Sequence, residues 1–314
     1  MFLSQQAFVW GSFLDSMDEC TAYLAPEGLE EALESELKEI IWRSGRLFLA
    51  KGALQNVHWV QNIWFNPKTI SFSSISEAAK ALRQLGPLWA YFPNKKIRRG
   101  ELIQAKLPFF RPKLISFPSA LPTVPLGSWT LLDEKTILCS SDCGSPFVHG
   151  ELHFVETKEP PSRAYLKLWE FFLKVGLHPN EGELCLELGA SPGSWTWVLS
   201  QLRADVIAVD RAPLSPHIQK LQDVTFLKKD AFSIKPKDFP DVKWVFSDVI
   251  CFPKKLLSWI EPWLELKVNL VCTLKFQDRD DYSVIKEFEA ITGGRILRLF
   301  HHKHELVFCR LVQS

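Results

Sequence analysis

Cys185-Leu186-Glu187-Leu188-Gly189-Ala190-Ser191-Pro192-Gly193-Ser194-Trp195-Thr196 is an apolar strand pattern that runs into a small-residue loop and then into a helix. Small side chains at Gly189, Ala190, Gly193 and Ser194 let backbone N–H groups come close to a bound ligand at the start of that helix. A second apolar run, Val206-Ile207-Ala208-Val209-Asp210, closes on a carboxylate. It lies about twenty residues further on, where doubly wound folds hold a ribose diol. Strand, small-residue loop, helix, strand and acid together predict a nucleoside-binding half-unit in an α/β protein. The loop lacks the three-glycine spacing of dinucleotide sites, and Pro192 fixes one torsion and removes a donor. That suits a ligand with no pyrophosphate to cradle.

Working outward, residues from about 162 onward alternate helix and strand patterns. A helix is expected over 163–175, another from Trp195 and a third over 255–260, with a fourth over 283–291. Strands are expected over 224–227, 243–246 and 268–273, then near 295–300 and 306–311. Such alternation predicts a mostly parallel sheet covered on both faces. The two last strands are close enough in sequence to pair as an antiparallel hairpin.

The front of the chain differs. Strands are expected at 21–25, 47–50 and 57–60, around a helix over 26–41 whose Leu29, Leu33, Leu37 and Ile40 recur at helical spacing. A further helix is expected over 75–90. Between Lys95 and Lys113 there are seven cations (Lys95, Lys96, Arg98, Arg99, Lys106, Arg111 and Lys113) against the single acid Glu101. Five prolines from Pro108 to Pro125 exclude a long helix there. The expected organisation is a small α+β (ferredoxin-like) module over 1–65, a basic, proline-rich region or linker over 66–140, and the α/β domain over 141–314. Trp89, Tyr91 and Phe92 beside the basic run are candidates for base stacking. Trp169, Trp195, Trp197, Trp244, Trp259 and Trp263 are expected to pack.

With a formal net charge of +1, the chain has no global field for a polyanion, so any nucleic-acid footprint must be local. Its 314 residues suffice for more than one domain. Cys185, Cys251 and Cys272 sit in apolar runs and read as reduced core thiols. No Cys/His spacing suits zinc, so no metal is expected. The N-terminus carries no basic leader and no run reaches membrane-spanning length, which makes a cytoplasmic protein without membrane attachment the expectation.

Several charges fall at strand ends, where open α/β sheets present their ligands. They are Asp210, Asp230, Asp248, Lys275 and Glu305, with Lys167 on the helix before the loop. A lysine at the end of an apolar strand is unfavourable unless it is paired. Two lysines and two carboxylates converging over a ligand form a proton-handling and orienting set.

These residues resemble the FtsJ-like ribose 2′-O-methyltransferases. The matching stretches are Pro161–Leu168, Glu187–Trp195, Ala208–Pro213, Lys229–Phe232, Ser247-Asp248, Leu274-Lys275 and His304-Glu305. The resemblance implies a Rossmann-like methyltransferase sheet and S-adenosylmethionine as cofactor. Gly189 and Ser191, Pro192, Gly193 and Ser194 would lie along the cofactor, the last four against its methionine end. Asp210 would hold its ribose, Asp230 its adenine side, and Asp248 would lie near the sulfonium. Lys167, Asp248, Lys275 and Glu305 would be the catalytic set. Lys275 would act as base, or as the cation holding a ribose 2′-oxygen, with Lys167 as its like-charged neighbour. The partner implied is RNA, with 23S ribosomal RNA as substrate at a cytidine, and the protein a monomer.

Two departures stand out: Ala164 replaces a serine, and Ser194 replaces a glycine. Residues 61–140 are shorter than the family's RNA-binding THUMP domain and match it poorly, so the resemblance implies a shortened THUMP-like region, or a linker, over 66–140. Two other classes remain open: a catalytically silent RNA-binding or ribosome-assembly factor, and a methyltransferase for small molecules. The intact lysine–carboxylate set weighs against the first, and the separate front module against the second.

Overall fold

The computed structural model describes residues 19–276 and 282–312, which form two compact units. The first contains the described residues through Ile115 together with Ala120–His153, and the second contains Ser116–Ser119 and everything described from Phe154 onward.

In the first unit, strands β1 (Cys20–Leu24), β2 (Ile40–Ser44), β3 (Leu47–Lys51), β4 (Asn62–Phe65) and β9 (Asp142–Cys143) make one antiparallel sheet in the order β2-β3-β1-β4-β9. Helix α1 (Glu30–Glu36) is shorter than its leucine spacing suggests, because Leu37 is already extended and β2 begins three residues later. The strand expected at 57–60 does not form. The Glu36 carboxylate instead accepts the backbone N–H groups of His58 and Trp59 at 2.8 and 3.0 Å, and Trp59 is buried there.

A second sheet of the same unit orders β5 (Lys68–Ser71), β8 (Thr136–Ser140), β7 (Gly127–Leu131) and β6 (Trp89–Tyr91). Helices α2 (Ile75–Leu85) and α3 (Ile97–Gln104) belong to this layer. Helix α2 starts where Ser74 accepts the Glu77 N–H while the Glu77 carboxylate reaches back to the Ser73 N–H, a reciprocal cap. Residues 68–140 therefore have their own core, in which Ala78, Leu82, Trp89, Ile103, Trp129 and Ile137 are buried, and they are not a linker. Trp89 and Phe92 are buried and Tyr91 packs on Trp129 with ring centroids 4.6 Å apart, so none of the three expected stacking residues offers a free face. Beyond Gly86 the expected helix gives way to strand β6.

The second unit is a seven-stranded sheet of β10 (Leu184–Leu188), β11 (Asp205–Asp210), β12 (Val224–Lys228), β13 (Trp244–Ser247), β14 (Asn269–Lys275), β15 (Gly294–Leu297) and β16 (Glu305–Arg310). The order is β12-β11-β10-β13-β14-β16-β15. All neighbours are parallel except β16, which lies antiparallel to both β14 and β15, so the expected terminal hairpin forms. Helices α4 (Tyr165–Val175), α5 (Ser194–Gln201), α6 (Pro253–Leu264) and α7 (Val284–Glu289) complete the unit. The order reverses on either side of β10, which opens a crevice at the carboxyl ends of β10, β11 and β13. Phe117 stacks on Trp169 at 5.2 Å, and all six tryptophans expected to pack do so, Trp259 half-buried. Cys185 and Cys272 are buried, whereas Cys251 sits half-exposed on the loop after β13. No helix among the described residues is long and apolar enough to cross a membrane.

One fully buried carboxylate ties the C-terminal corner to α4. Glu170 accepts the backbone N–H groups of Phe300 and His301 at 2.8 and 3.0 Å, pairs with His301 Nδ1 at 2.7 Å and meets Lys174 Nζ at 3.1 Å. Burial alone would raise its pKa, but His301, Lys174 and the Phe300 N–H outweigh that and hold the carboxyl at about 2. A depressed carboxylate stabilises the fold above its unfolded-state pKa, and that contribution disappears as pH falls through the folded value. The wild-type protein should therefore lose urea resistance between about pH 4.5 and pH 2 through this group. Glu170→Gln should be less stable at pH 7 and should show a flatter acid limb. Glu170→Ala should lose about 3–5 kcal/mol, as expected when one partner of a buried ion pair is removed.

Candidate active site

The loop after β10 makes its close turn with glycine where glycine is needed. Gly189 has φ +77°, and a Cβ there would come within 3.0–3.1 Å of the Val249 backbone. Gly193 has φ +108°, and a Cβ would meet Ile218 at 2.8 Å. Between them the Ser191–Pro192 peptide is cis. The loop is held to β11 by Asp210, whose Oδ2 accepts the Ser191 N–H at 3.0 Å and whose Oδ1 accepts the Ala212 N–H at 2.9 Å. Each carboxylate oxygen keeps a further lone pair for a ligand.

This arrangement leaves a cavity of about 360 Å³ at the carboxyl edge of the sheet. Of the expected residues, Gly189, Ser191, Asp210, Asp230, Asp248 and Lys275 line it; Arg211, Phe232, Val249 and Ile250 join them from the same loops. Pro192, Gly193 and Ser194 do not line the cavity. The Pro192 carbonyl takes the Ser215 N–H at 3.0 Å, Gly193 faces Ile218, and Ser194 is turned away. Its hydroxyl meets the Ser162 hydroxyl at 2.7 Å and accepts the Ser162 N–H at 3.0 Å. The neighbouring Trp195 Nε1 donates to the Ala164 carbonyl at 3.0 Å. Both departures from the family pattern thus fall on one seam, where residues 162–164 are fastened to the start of α5.

The four expected catalytic residues form two ion pairs. Lys275 Nζ lies 3.0 Å from Asp248 Oδ1 and donates to the Asp248 carbonyl at 2.6 Å. Lys167 Nζ lies 2.6 Å from Glu305 Oε2. The pairs are brought side by side because Lys275 and Glu305 face each other in the β14–β16 register. All four side chains are mostly buried, between 16% and 21% exposed, so neither lysine is left in apolar surroundings without its counter-charge.

Two groups were not legible in the sequence. His302 is fully buried 4.0 Å from Glu305, and burial drives its pKa far down, so it stays neutral beside the Lys167 pair. Nothing but its place near Glu305 in a histidine-rich run marks it. Glu187, in the quoted strand, is buried and accepts a 2.6 Å hydrogen bond from Thr196. Burial, with Asp248 and Asp210 nearby, pushes its carboxyl up to about 8 despite the Thr196 bond.

The donor set can be tested against the implied cofactor. S-adenosylmethionine carries a sulfonium, an ammonium and a ribose diol. The cavity presents Asp210, Asp230 and Asp248 against Arg211 and Lys275. Carboxylates suit both the cationic groups and the diol, so the residues present fit it. Among the described residues, no group of three or more His, Cys, Asp or Glu is placed to hold a metal ion.

Sheet order and the acidic cavity at its carboxyl edge define a Rossmann-like α/β unit. Residues 160–306 match the family of FtsJ-like methyltransferases, as the residue pattern implied. Among curated relatives, "Ribosomal RNA large subunit methyltransferase M" of Halorhodospira halophila is 30% identical over 168 residues, covering 50% of this chain and 49% of that protein. Its counterpart from Alkalilimnicola ehrlichii is 32% identical over 190 residues, covering 54% and 51%. The chain spans about half the length of the curated relatives it matches. Among solved structures, TrmN from Thermus thermophilus is 12% identical with a TM-score of 0.36, covering 92% of this chain and 98% of that one.

Two measurements check the site. Ser194→Gly should lower stability by about 1 kcal/mol, the usual net value of a hydrogen bond, and leave cofactor affinity within about twofold. Denaturant melts paired with calorimetric titration of S-adenosylmethionine read both. The raised Glu187 makes the opposite contribution to Glu170: its stabilising effect is complete below about pH 4.5 and is lost as pH rises towards 8. Glu187→Gln should therefore flatten the decline in stability between those values.

Proposed function

We propose that the chain is an S-adenosylmethionine-dependent RNA ribose 2′-O-methyltransferase, acting on 23S ribosomal RNA at a cytidine. The observation that carries the reading is the pair of lysine–carboxylate contacts placed side by side on β14 and β16, at the edge of an acidic, nucleoside-sized cavity. The bound cofactor supplies an electrophilic methyl group. Asp210 and Asp230 would hold its nucleoside from the ends of β11 and β12, and Asp248 would balance its positive charge.

A ribose hydroxyl is a weak nucleophile, and it gains from a base held in line with the methyl carbon. In this reading Lys275 gives up its ammonium proton to solvent before the reaction, and the free amine takes the 2′-hydroxyl proton at Nζ as the oxygen attacks. The ammonium so formed is the species already ion-paired with Asp248 at 3.0 Å. An ammonium has three donors; Asp248 uses two, and the third remains for the reacting oxygen. Lys167 and Glu305, ion-paired next to it, orient the ribose and keep the like charge of the second lysine compensated. His302, neutral and buried, leaves the charge balance of that pair unaltered.

The names of the curated relatives support the ribosomal substrate. The test is incubation with methyl-labelled S-adenosylmethionine and unmodified 23S ribosomal RNA, followed by alkaline hydrolysis. Label should appear in alkali-resistant dinucleotides with cytidine as the 5′ member. Lys275→Ala should lose about a hundredfold or more in rate while still binding cofactor. Transfer to small hydroxyl compounds instead, or cofactor binding with no labelled RNA, would overturn the assignment.

A further inference from the structure

The basic run of the first unit ends in a segment with an unusual surface. Leu107 and Ile115 are buried, at 6% and 7% exposure, while between them Phe109 is 87% exposed and Leu114 59%. Both ends are tied down. The Leu107 N–H donates to Gln104, Arg83 holds the Lys106 carbonyl at 2.9 Å, and the Ile115 N–H donates to the His153 carbonyl at 2.9 Å. Pro108 and Pro112 restrict the stretch further. The exposed aromatic is therefore presented by a braced segment.

Beside it lies an apolar hollow of about 510 Å³, walled by Leu88, Phe110, Leu114 and Val124, with the charged Arg111, Lys113 and Glu151 on its lining. Phe109 and Phe110 line a second, shallower hollow against Tyr91 and Leu107. Lys106, Arg111 and Lys113 are exposed and make no ion pair with any described residue. No carboxylate occurs in sequence between Glu101 and Asp133. Apolar surface of this extent marks a partner site. Glu151 borders the first hollow and Glu101 the second, but Lys106, Arg111 and Lys113 outnumber them, so the surface is net positive and suits an anionic partner that carries flat apolar groups.

We infer that the segment from Lys106 to Leu114 is a docking surface for single-stranded RNA, in which Phe109 stacks on a base, a neighbouring base enters the hollow, and Arg111 and Lys113 take the flanking phosphates. The inference rests on the RNA reading of the preceding section and deepens it by assigning a substrate-holding surface to the first unit. Bases stack on aromatic faces regardless of sequence while cations track the backbone. Because the segment is already braced, little ordering opposes binding.

The test uses the full chain and a fluorescein-labelled 12-nucleotide single-stranded RNA, with anisotropy read over a salt series. Phe109→Ala should weaken binding about tenfold and Phe109→Trp should restore it, since stacking needs only an aromatic face. The Arg111→Ala/Lys113→Ala double variant should reduce the slope of log affinity against log salt by about 1.4, corresponding to two single-strand phosphate contacts. All three variants alter exposed side chains, so their thermal midpoints and S-adenosylmethionine affinity should match the wild type. Wild-type RNA affinity and salt slope in both the alanine and the double variant would overturn the proposal. So would variants that keep RNA binding but lose an acidic amphipathic peptide or anionic vesicles. Methyl transfer by the wild type separates the two readings. Transfer to RNA with unaffected variants removes this surface and keeps the activity, whereas affected RNA binding without transfer removes the activity and keeps the surface.

Discussion

A lysine ammonium at the buried end of a strand is tolerable only beside a carboxylate, and this constraint organises the second unit. Lys275 ends β14, and its partner Asp248 must come from the loop after β13, the parallel neighbour. Lys167 comes from α4, before the sheet begins, and its partner Glu305 opens β16. A purely parallel sheet would place the beginning of β16 at the opposite edge from Lys275. Inserting β16 antiparallel between β14 and β15 brings its first residue to the carboxyl edge, in register with Lys275. The one strand that runs against the others is the one that completes the lysine–carboxylate set.

The cavity beside that set is governed by the same electrostatics with the sign reversed. Asp210, Asp230 and Asp248 line it and Glu187 lies under it, so its carboxylates outnumber its cations. Burial, with Asp248 and Asp210 nearby, pushes the Glu187 carboxyl up to about 8. Asp210 remains useful because its two oxygens are oriented by backbone N–H groups of the loop it serves.

Much of this was legible in the residues. The β10–loop–β11 unit, the terminal hairpin and the strand-end charges follow from spacing and from the handedness of α/β connections, which are local rules. The misses have non-local causes. Residues 57–60 have strand composition but yield to the Glu36 carboxylate, 22 or 23 positions away in sequence. Trp89 and Phe92 sit beside cations, yet the second sheet of the first unit buries them, and the exposed aromatic is Phe109. Ser194, expected against the methionine end of the cofactor, instead meets the hydroxyl of Ser162, 32 residues earlier. His302 has no pattern to give it away, since a buried neutral imidazole leaves no periodic trace.

Helix α4 carries Lys167 and, one turn later, Glu170. The first reaches Glu305 at the start of β16 and the second grips the backbone just before that strand. Both the beginning of β16 and the lysine that meets it are thereby measured from a single rod. Thermal drift of that rod carries the two halves of the Lys167–Glu305 contact together, leaving their separation almost unchanged. The ion pair is compensated against motion in the way a pendulum is compensated against temperature, by hanging both ends of the critical length from the same member.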